Sequence, residues 1–358
     1  MMRDVSLLLS FVTISGLLTV AEGRTYIEAF QEIQDQVVWP CPQSPRDSIA
    51  SAFGPREKIT SGVISDDFHR GLDIMGSLGD EIVAVYGGRV EKIHTYSGGG
   101  LTVILRHWFT EGVKDVYLLP DKEPTDRWYT MNMHLDGIAM HPTENRELEQ
   151  YDTIEAGQLI GYMGQSGTAS NVHLHHELRI ATRCSLEWAL ANPPPASTCN
   201  LHNFDPMINP MLCYKHLTDS QYQKADVSQK QELSPQPDGD YVIAMHDNQP
   251  NFNSILFEQI DADGNLVQSH LLDLNRRYGY DASSEASHNM YEKTKPYLNS
   301  NSFGLSATHW DINFIIPCIW VPSKNVGDMF RITIHSIWET EETKNEFLVG
   351  NSADSWGV

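Results

Sequence analysis

Two short stretches of the chain carry side chains whose types and spacing could hold a metal ion. In the first, Asp73 follows His69 by four positions, and in the second, His173 and His175 stand two positions apart. A two-residue spacing directs both imidazoles to one face of a β-strand. Histidine nitrogen and aspartate oxygen are ordinary zinc ligands, and a catalytic zinc site uses three protein ligands and leaves a position open for water. Two histidines and one aspartate make a sufficient set, with one histidine left over.

The neighbouring sequence places both motifs among β-strands. In a chain with 15 histidines, a pair at this spacing belongs by itself more often to the surface or to a structural cluster than to a metal site. Here a strand, a glycine turn and a second strand follow the first motif, and a glycine-punctuated hairpin precedes the second. A further strand between them carries His134. This context favours a metal site.

The region from residue 51 to residue 180 has the pattern of an antiparallel β-sheet. Short apolar runs alternate with Gly, Asp and Asn turns, and no long stretch has the helical period. The clearest strands are residues 83–85, 90–93, 101–105 and 154–162. We therefore predict an all-β fold for this region.

The order of the motifs is more specific than any one of them. In sequence letters they are SAFG at 51–54, HxxxD at 69–73, AVYGGRV at 84–90, VILRH at 103–107, HL at 134–135, IGYMG at 160–164 and HxH at 173–175. This order resembles the lysostaphin/LytM-type zinc metallopeptidases, the M23 family, over roughly residues 50–180. The resemblance implies a LytM-like antiparallel β-sheet peptidase domain.

The resemblance also implies a role for each motif residue. The zinc ligands of the family correspond here to His69, Asp73 and His175, with one zinc ion per chain. The catalytic pair beside the metal-bound water corresponds to His134 and His173. All five positions are filled, and one departure, Asn171-Val172 where relatives often have Gly-Pro, lies just before HxH.

Three functional hypotheses follow from these residues. The first is a zinc metalloendopeptidase that cuts peptide bonds in the cross-bridges or stem peptides of bacterial peptidoglycan. The second is a non-catalytic, zinc-stabilised binding or signalling protein of the same fold, and the third is a glycan-binding protein that acts through its carboxyl-terminal domain. The presence of both His134 and His173 favours the enzyme, because a histidine pKa lies near the working pH of a proton acceptor or donor.

Residues 1–23 have the pattern of a secretory signal peptide. Arg3 precedes an apolar run from Val5 to Val20, and small residues follow at Ala21 and Gly23. A signal anchor is the alternative, but the run is short for a membrane span. We expect a secreted, extracellular protein, or a periplasmic one in a Gram-negative bacterium, with no stable membrane insertion after cleavage.

Charge and cysteines agree with export. The net charge of −22 argues against nucleic acid and anionic membranes as partners, and acidic residues keep an exported protein soluble. Five cysteines fit an oxidising compartment, and three of them crowd into residues 184–213, where we predict at least one disulfide. The cysteines are Cys41, Cys184, Cys199, Cys213 and Cys318.

The chain is long enough for about two domains. Composition divides it into a signal peptide at 1–23, a leader at 24–49 that packs beside the catalytic domain, the peptidase domain with a cysteine-containing extension at 50–217, a polar linker at 218–240, a smaller β-sandwich-like domain at 241–340 and a tail at 341–358. Asp261 to Asn265 fails the EF-hand template and is predicted to be a hairpin turn.

Three further features leave structural questions open. The aromatic insertion at residues 108–130 is either a substrate-contacting wall of the cleft or an elaborated edge that packs on the sheet. His107 either lines the cleft or is structural. His176 is one residue out of phase with His175 and should point away from the metal.

Overall fold

The computed structural model describes residues 23–45, 48–51, 53–60, 63–118, 124–180, 207–214, 232–235, 241–247, 252–273, 275, 295–297, 310–316, 329–336 and 345–350. The predicted signal peptide lies outside the described residues except for Gly23. Most of the predicted linker and Cys184, Cys199 and Cys318 also lie outside them. Cys41 is a buried free thiol, and the disulfide at 184–213 stays a prediction.

The amino-terminal part of the described chain forms one α-helix and fourteen strands. They are β1 (Arg24–Thr25), α1 (Tyr26–Ile33), β2 (Ile49–Ser51), β3 (Gly54–Thr60), β4 (Val63–His69), β5 (Leu72–Met75), β6 (Glu81–Val83), β7 (Gly88–Tyr96), β8 (Gly100–Trp108), β9 (Val116–Tyr117), β10 (Arg127–Ile138), β11 (Thr153–Ile154), β12 (Leu159–Met163), β13 (His173–Ile180) and β14 (Met207–Ile208). Two 3-10 turns cover Gln34–Gln36 and Pro210–Cys213. The predicted all-β fold is confirmed.

Ten of these strands form one antiparallel sheet. Its main order is β11-β7-β8-β10-β13-β5-β2, while β12 joins β10 to β6 and β14 pairs with β13. Strands β3 and β4 form a separate hairpin that ends at His69, and β1 pairs with β9 in parallel. The two motif strands, β5 and β13, are therefore direct neighbours.

The pleat of the sheet separates a packed face from a polar face. In β5, Leu72 and Ile74 are fully buried and alternate with the partly exposed Asp73. In β13, Leu174 and Leu178 are fully buried on the face opposite His175. The apolar face is held in the core, so the register presents the motif side chains together on the other face.

A β-bulge lies in β10 next to the site. Its pairing with β8 slips between Asn132 and Leu135, so that Met133 and His134 share one place in the ladder. His134 has φ 64°, a left-handed conformation that side chains other than glycine rarely adopt. Its backbone N–H donates to the carbonyl oxygen of Gly99 at 2.8 Å. The bulge thus aims His134 differently from a regular strand residue.

The leader packs against the peptidase sheet, as predicted. Helix α1 begins at a capping box in which Thr25 and Glu28 bond each other's backbone N–H groups. Tyr26, Ala29, Phe30 and Ile33 form its buried face. The leader is thus part of the hydrophobic core.

Of the two interpretations of the aromatic insertion, the described residues support the elaborated edge. Phe109 and Trp128 are buried and pack on Phe30 of the leader, with ring centroids 5.0 and 5.3 Å away. Arg127, at the start of β10, pairs with the end of β8, and seven residues along a strand separate it from His134 by about 23 Å. The described residues of the insertion thus form an edge that packs on the sheet.

The carboxyl-terminal part forms two antiparallel four-stranded sheets. One has the order β15-β16-β20-β19 and the other β18-β17-β21-β22. Their strands are β15 (Glu232–Pro235), β16 (Tyr241–Asp247), β17 (Phe252–Ile260), β18 (Leu266–Asp273), β19 (Lys295–Tyr297), β20 (Trp310–Ile316), β21 (Met329–Ser336) and β22 (Asn345–Gly350). Strand β15 lies within the predicted linker and β22 within the predicted tail.

Asp261 to Asn265 is the predicted hairpin turn. It joins β17 to β18, and an Asp261 carboxylate oxygen accepts the backbone N–H groups of Asp263 and Asn265 at 3.0 and 2.8 Å. Elsewhere in the fold, no helix within the described residues is long and apolar enough to cross a bilayer.

Candidate metal centre

Three predicted ligand side chains converge on one point. His69 ends β4, Asp73 lies in β5, and His175 lies opposite Asp73 in β13. The Nε2 atom of His69 is 3.1 Å from both Asp73 Oδ1 and His175 Nδ1. His175 Nδ1 is 2.7 Å from the same Asp73 oxygen. Three donor atoms from three strands thus form a small triangle.

The triangle fits a zinc ion. Ligand atoms about 2.0–2.2 Å from a tetrahedral zinc are about 3.3 Å from one another, close to the separations found here. Two imidazoles and one carboxylate form a usual donor set for a catalytic zinc site, which keeps its fourth position for water. Among the described residues, this is the one group of His, Cys, Asp or Glu side chains with the spacing of a metal site.

The electrostatics of the triangle hold Asp73 ionised. Burial alone would raise the pKa of Asp73, but His69 and His175 outweigh it and hold the pKa well below its usual value. Burial would lower the pKa of His175, but hydrogen bonds with Asp73 and Glu177 raise it to about 9. Without a metal ion, the positive charge next to Asp73 is therefore that of a protonated His175.

Two side chains outside the triangle contact the second ring nitrogens of His69 and His175. Ser51 Oγ lies 3.1 Å from Nδ1 of His69, and Glu177 Oε1 lies 3.2 Å from Nε2 of His175. Hydrogen bonds from the second ring nitrogen are typical of metal-binding histidines. Sequence reasoning gave neither residue a role, although Glu177 follows His175 by two positions and so shares its face of the strand.

The predicted catalytic pair lies beside the triangle. The rings of His134 and His173 are 4.8 Å apart, and His173 Nε2 is 3.6 Å from Asp73 Oδ1. Their Nδ1 atoms lie 2.8 Å from the carbonyl oxygen of Ser166 and 2.9 Å from that of Asn171. Since a carbonyl only accepts, each Nδ1 carries a hydrogen, and in the neutral form of each ring the lone pair is on Nε2.

The environment keeps His134 neutral. Burial lowers its pKa to about 4, although the hydrogen bond to the Ser166 carbonyl opposes the shift. At neutral pH the Nε2 lone pair of His134 is therefore unprotonated, as a proton acceptor requires.

Two other histidines of the sheet are structural. His107 is fully buried, with Nδ1 3.0 Å from the carbonyl oxygen of Gly87 and Nε2 3.0 Å from Thr130 Oγ1. His176 is also fully buried and points away from the triangle, bonded to Asn132 and Tyr214 at 2.9 Å each. The predicted orientation of His176 is confirmed, and of the two roles open for His107 the structure supports the structural one.

All five predicted site residues lie within one family match. Residues 67–185 match the model of Peptidase family M23. The match assigns residues 67–185 to the M23 family. This M23 domain contains both motif strands, the bulge at His134 and the insertion before β10.

Several solved structures of peptidases are similar to this region of the chain. A zinc-containing peptidase from Vibrio cholerae shares 21% identity and a TM-score of 0.29 over 39% of this chain and 35% of that chain. The catalytic domain of a prophage-encoded M23 protein from Enterococcus faecalis shares 26% sequence identity, with a TM-score of 0.25 over 36% of this chain and 77% of that one.

The catalytic domain of the antimicrobial peptidase lysostaphin from Staphylococcus simulans shares 22% sequence identity with this chain. The match has a TM-score of 0.26 and covers 36% of this chain and 77% of that one. The similarity to the Vibrio cholerae peptidase thus spans about a third of that protein. No curated protein matches the chain.

Proposed function

We propose that this protein is a secreted zinc metalloendopeptidase that hydrolyses peptide bonds of bacterial peptidoglycan, in cross-bridges or stem peptides. The observation that carries the proposal is the convergence of His69, Asp73 and His175 beside the adjacent rings of His134 and His173. Metal ligands alone would suit a binding protein of the same fold. Ligands together with two positioned proton acceptors suit a hydrolase.

The five residues divide into two tasks. His69, Asp73 and His175 would hold zinc, which when bound supplies Lewis acidity for a scissile carbonyl and its attacking water. His134 and His173 present their Nε2 lone pairs next to the metal position, where they can take a proton from the water and return it to the leaving amine. Backbone carbonyls fix both rings, so this geometry is prepared before substrate arrives.

The substrate class is supported by the motif order and by the signal-peptide pattern. The M23 resemblance implies peptidoglycan peptides, and an exported hydrolase meets its substrate outside the cytoplasm. Nucleic acid and anionic membranes are not expected as partners, because the net charge of −22 repels them. One zinc per chain is the expected cofactor.

The test is the release of new amino termini from purified peptidoglycan. Several wall types are incubated with the protein and with its His134→Ala variant, and the released fragments identify the bond. The proposal expects amine release by the wild type and release at least about 100-fold slower by the variant. Reducing ends without new amino termini would indicate glycan cleavage instead. Amine release by neither protein, with zinc bound at one per chain, would leave the binding-protein hypothesis standing and refute the peptidase.

A further inference from the structure

Glu177 is a buried carboxylate beside the candidate zinc site that the proposed chemistry does not use. Glu177 is 2% exposed, and its Oε1 atom lies 3.2 Å from Nε2 of His175. The other oxygen, Oε2, accepts hydrogen bonds from Arg179 through Nε at 2.7 Å and through Nη2. Arg179 is itself 3% exposed. The three side chains form a continuous row that starts at the site and leads into the protein.

The row follows from the pleat of one strand. His175, Glu177 and Arg179 occupy alternate positions of β13, so all three project from the same face. A carboxylate buried alone would be costly, and the Arg179 guanidinium compensates its charge with two hydrogen bonds to a single oxygen. This leaves Oε1 as an acceptor with a fixed direction. That direction is toward the imidazole of His175.

We propose that Glu177, held by Arg179, is a positioning residue that keeps the hydrogen of His175 on Nε2 and turns Nδ1 toward the metal. The inference rests on the proposed zinc site. A neutral imidazole carries one N–H, and a carboxylate that accepts it at Nε2 leaves the lone pair on Nδ1. Nδ1 is the atom that lies 2.7 Å from Asp73 Oδ1 and 3.1 Å from His69 Nε2. A rotated ring would present carbon or N–H to the ion.

A second buried pair of the same kind provides a matched control. Glu91 and Arg106 are joined by a 2.7 Å contact between Oε2 and Nη2, and each residue is 8% exposed. The ion pairs of Glu91 are with Arg89 and Arg106, and neither of these residues is a proposed metal ligand. If Glu177 served only to stabilise the fold, removal of either carboxylate would have the same consequences.

The experiment measures zinc affinity by chelator competition in the full chain and in Glu177→Gln, Glu177→Ala and Glu91→Gln. Loss of a partner that orients a ligand weakens metal affinity by about 10–100-fold, and we expect this range for Glu177→Ala. Glu177→Gln, which keeps an acceptor oxygen, should lose less affinity, and Glu91→Gln should bind as the wild type does. The visible spectrum of the cobalt(II) form, which reports ligand geometry, should change only in the Glu177 variants.

The outcomes separate this inference from the proposed function. Unfolding of the metal-free proteins, followed by circular dichroism, shows that each variant is folded, and the isosteric Glu177→Gln decides if Glu177→Ala does not fold. Wild-type affinity and spectrum in the Glu177 variants, or an equal loss in Glu91→Gln, would overturn the positioning role and leave the zinc site intact. A wild-type chain without stoichiometric zinc would overturn the proposed function and this inference with it.

Discussion

The Oδ1 oxygen of Asp73 lies within 3.6 Å of a ring nitrogen from each of three histidines, His69, His173 and His175. The two histidines of the HxH motif reach it because their even spacing points both to one face of β13. The motif spacing therefore predicted which side chains would meet. It did not predict which nitrogen of each ring would face the carboxylate, because Glu177, Ser51 and the backbone carbonyls decide that.

His107 shows what a buried histidine does without a metal. Its two ring nitrogens bond to Gly87 and Thr130, and the ring packs on Trp128 with 4.3 Å between centroids. Burial lowers its pKa from 6.5 to about 4, against the hydrogen bond to Gly87. Its position at the end of a strand was compatible with a residue that lines the cleft. Its burial shows that it belongs to the core instead.

The pKa of His107 predicts a pH dependence of stability. Between pH 6.5 and about 4, His107 is protonated in the unfolded chain but not in the folded chain. Its contribution to folding stability is therefore complete above pH 6.5 and is lost as the pH falls toward about 4. The full effect is about 3 kcal/mol. His107→Asn, whose amide can still donate to Gly87, should have a smaller loss of stability between pH 7 and pH 5 than the wild type. Denaturant unfolding of chelator-treated proteins measures it, and equal losses would contradict the assignment.

At the scale of elements, the site depends on how the β8–β10 pair is distorted. The register slip places His134 in a left-handed conformation with φ 64°, and the loop of Ser166 holds its ring. The strands themselves were predictable, since their apolar runs and glycine turns are local signals. The bulge was not, because it is a property of two strands pairing and has no signature in either sequence alone.

The loop that supports His134 leaves no room for a side chain at Gly167. Gly167 has φ 73°, and a Cβ there would lie 2.3 Å from the Gly98 carbonyl oxygen and 2.4 Å from the Gly100 nitrogen. Gly157 has φ 78° with open space around it. We expect Gly167→Ala to reduce turnover at least 10-fold and to keep zinc, since about 1 Å of displacement can cost roughly 100-fold. Gly157→Ala should keep full activity, and equal activities would contradict the role of the loop.

Helix α1 is the element whose importance the sequence understated. The leader was predicted to pack beside the domain, yet Phe30 is fully buried in edge contact with Phe109 and Trp128. The sequence left the choice between a cleft wall and an elaborated edge open for the same reason. Aromatic residues in an insertion are compatible with a binding loop or with a core, and the partner that buries them comes from a distant part of the chain.

Truncation of Phe30 measures this packing. Phe30→Ala should destabilise the domain by about 3–5 kcal/mol, because it removes a buried ring and leaves a cavity. Gln31→Ala, at the exposed neighbouring position, should change stability by less than about 0.5 kcal/mol. Denaturant midpoints of both variants test it. A small effect of Phe30→Ala would mean that the leader is dispensable for the fold.

For the whole molecule, the acidic charge bears on how the proposed enzyme would approach bacterial cell walls. A net charge of −22 repels the anionic polymers of many bacterial walls, and salt screens this repulsion, with a Debye length of about 8 Å at 0.15 M. Cleavage of walls that carry such polymers should become faster between low salt and 0.15 M. Cleavage of a short neutral peptide should not, and a rate on walls that falls with salt would contradict the argument.

The division into domains could be predicted only in part. The peptidase region could be predicted because a fixed order of motifs marks it, whereas nothing comparable marks residues 241–340. Composition indicated β-strands there, and two four-stranded sheets are found. Their edges extend to β15 and β22, in segments whose polar composition suggested a linker and a tail, because edge strands are partly solvated and need fewer apolar residues.

The central claim, a zinc-dependent peptidase that uses His134, is tested most directly by adding zinc back to chelator-treated protein while amine release from peptidoglycan is followed. The account predicts that wild-type activity is restored and saturates at one zinc per chain. His175→Ala should fail to bind zinc stoichiometrically, and His134→Ala should bind it yet remain at least about 100-fold slower. Full activity in the chelated protein or in His134→Ala would contradict the account.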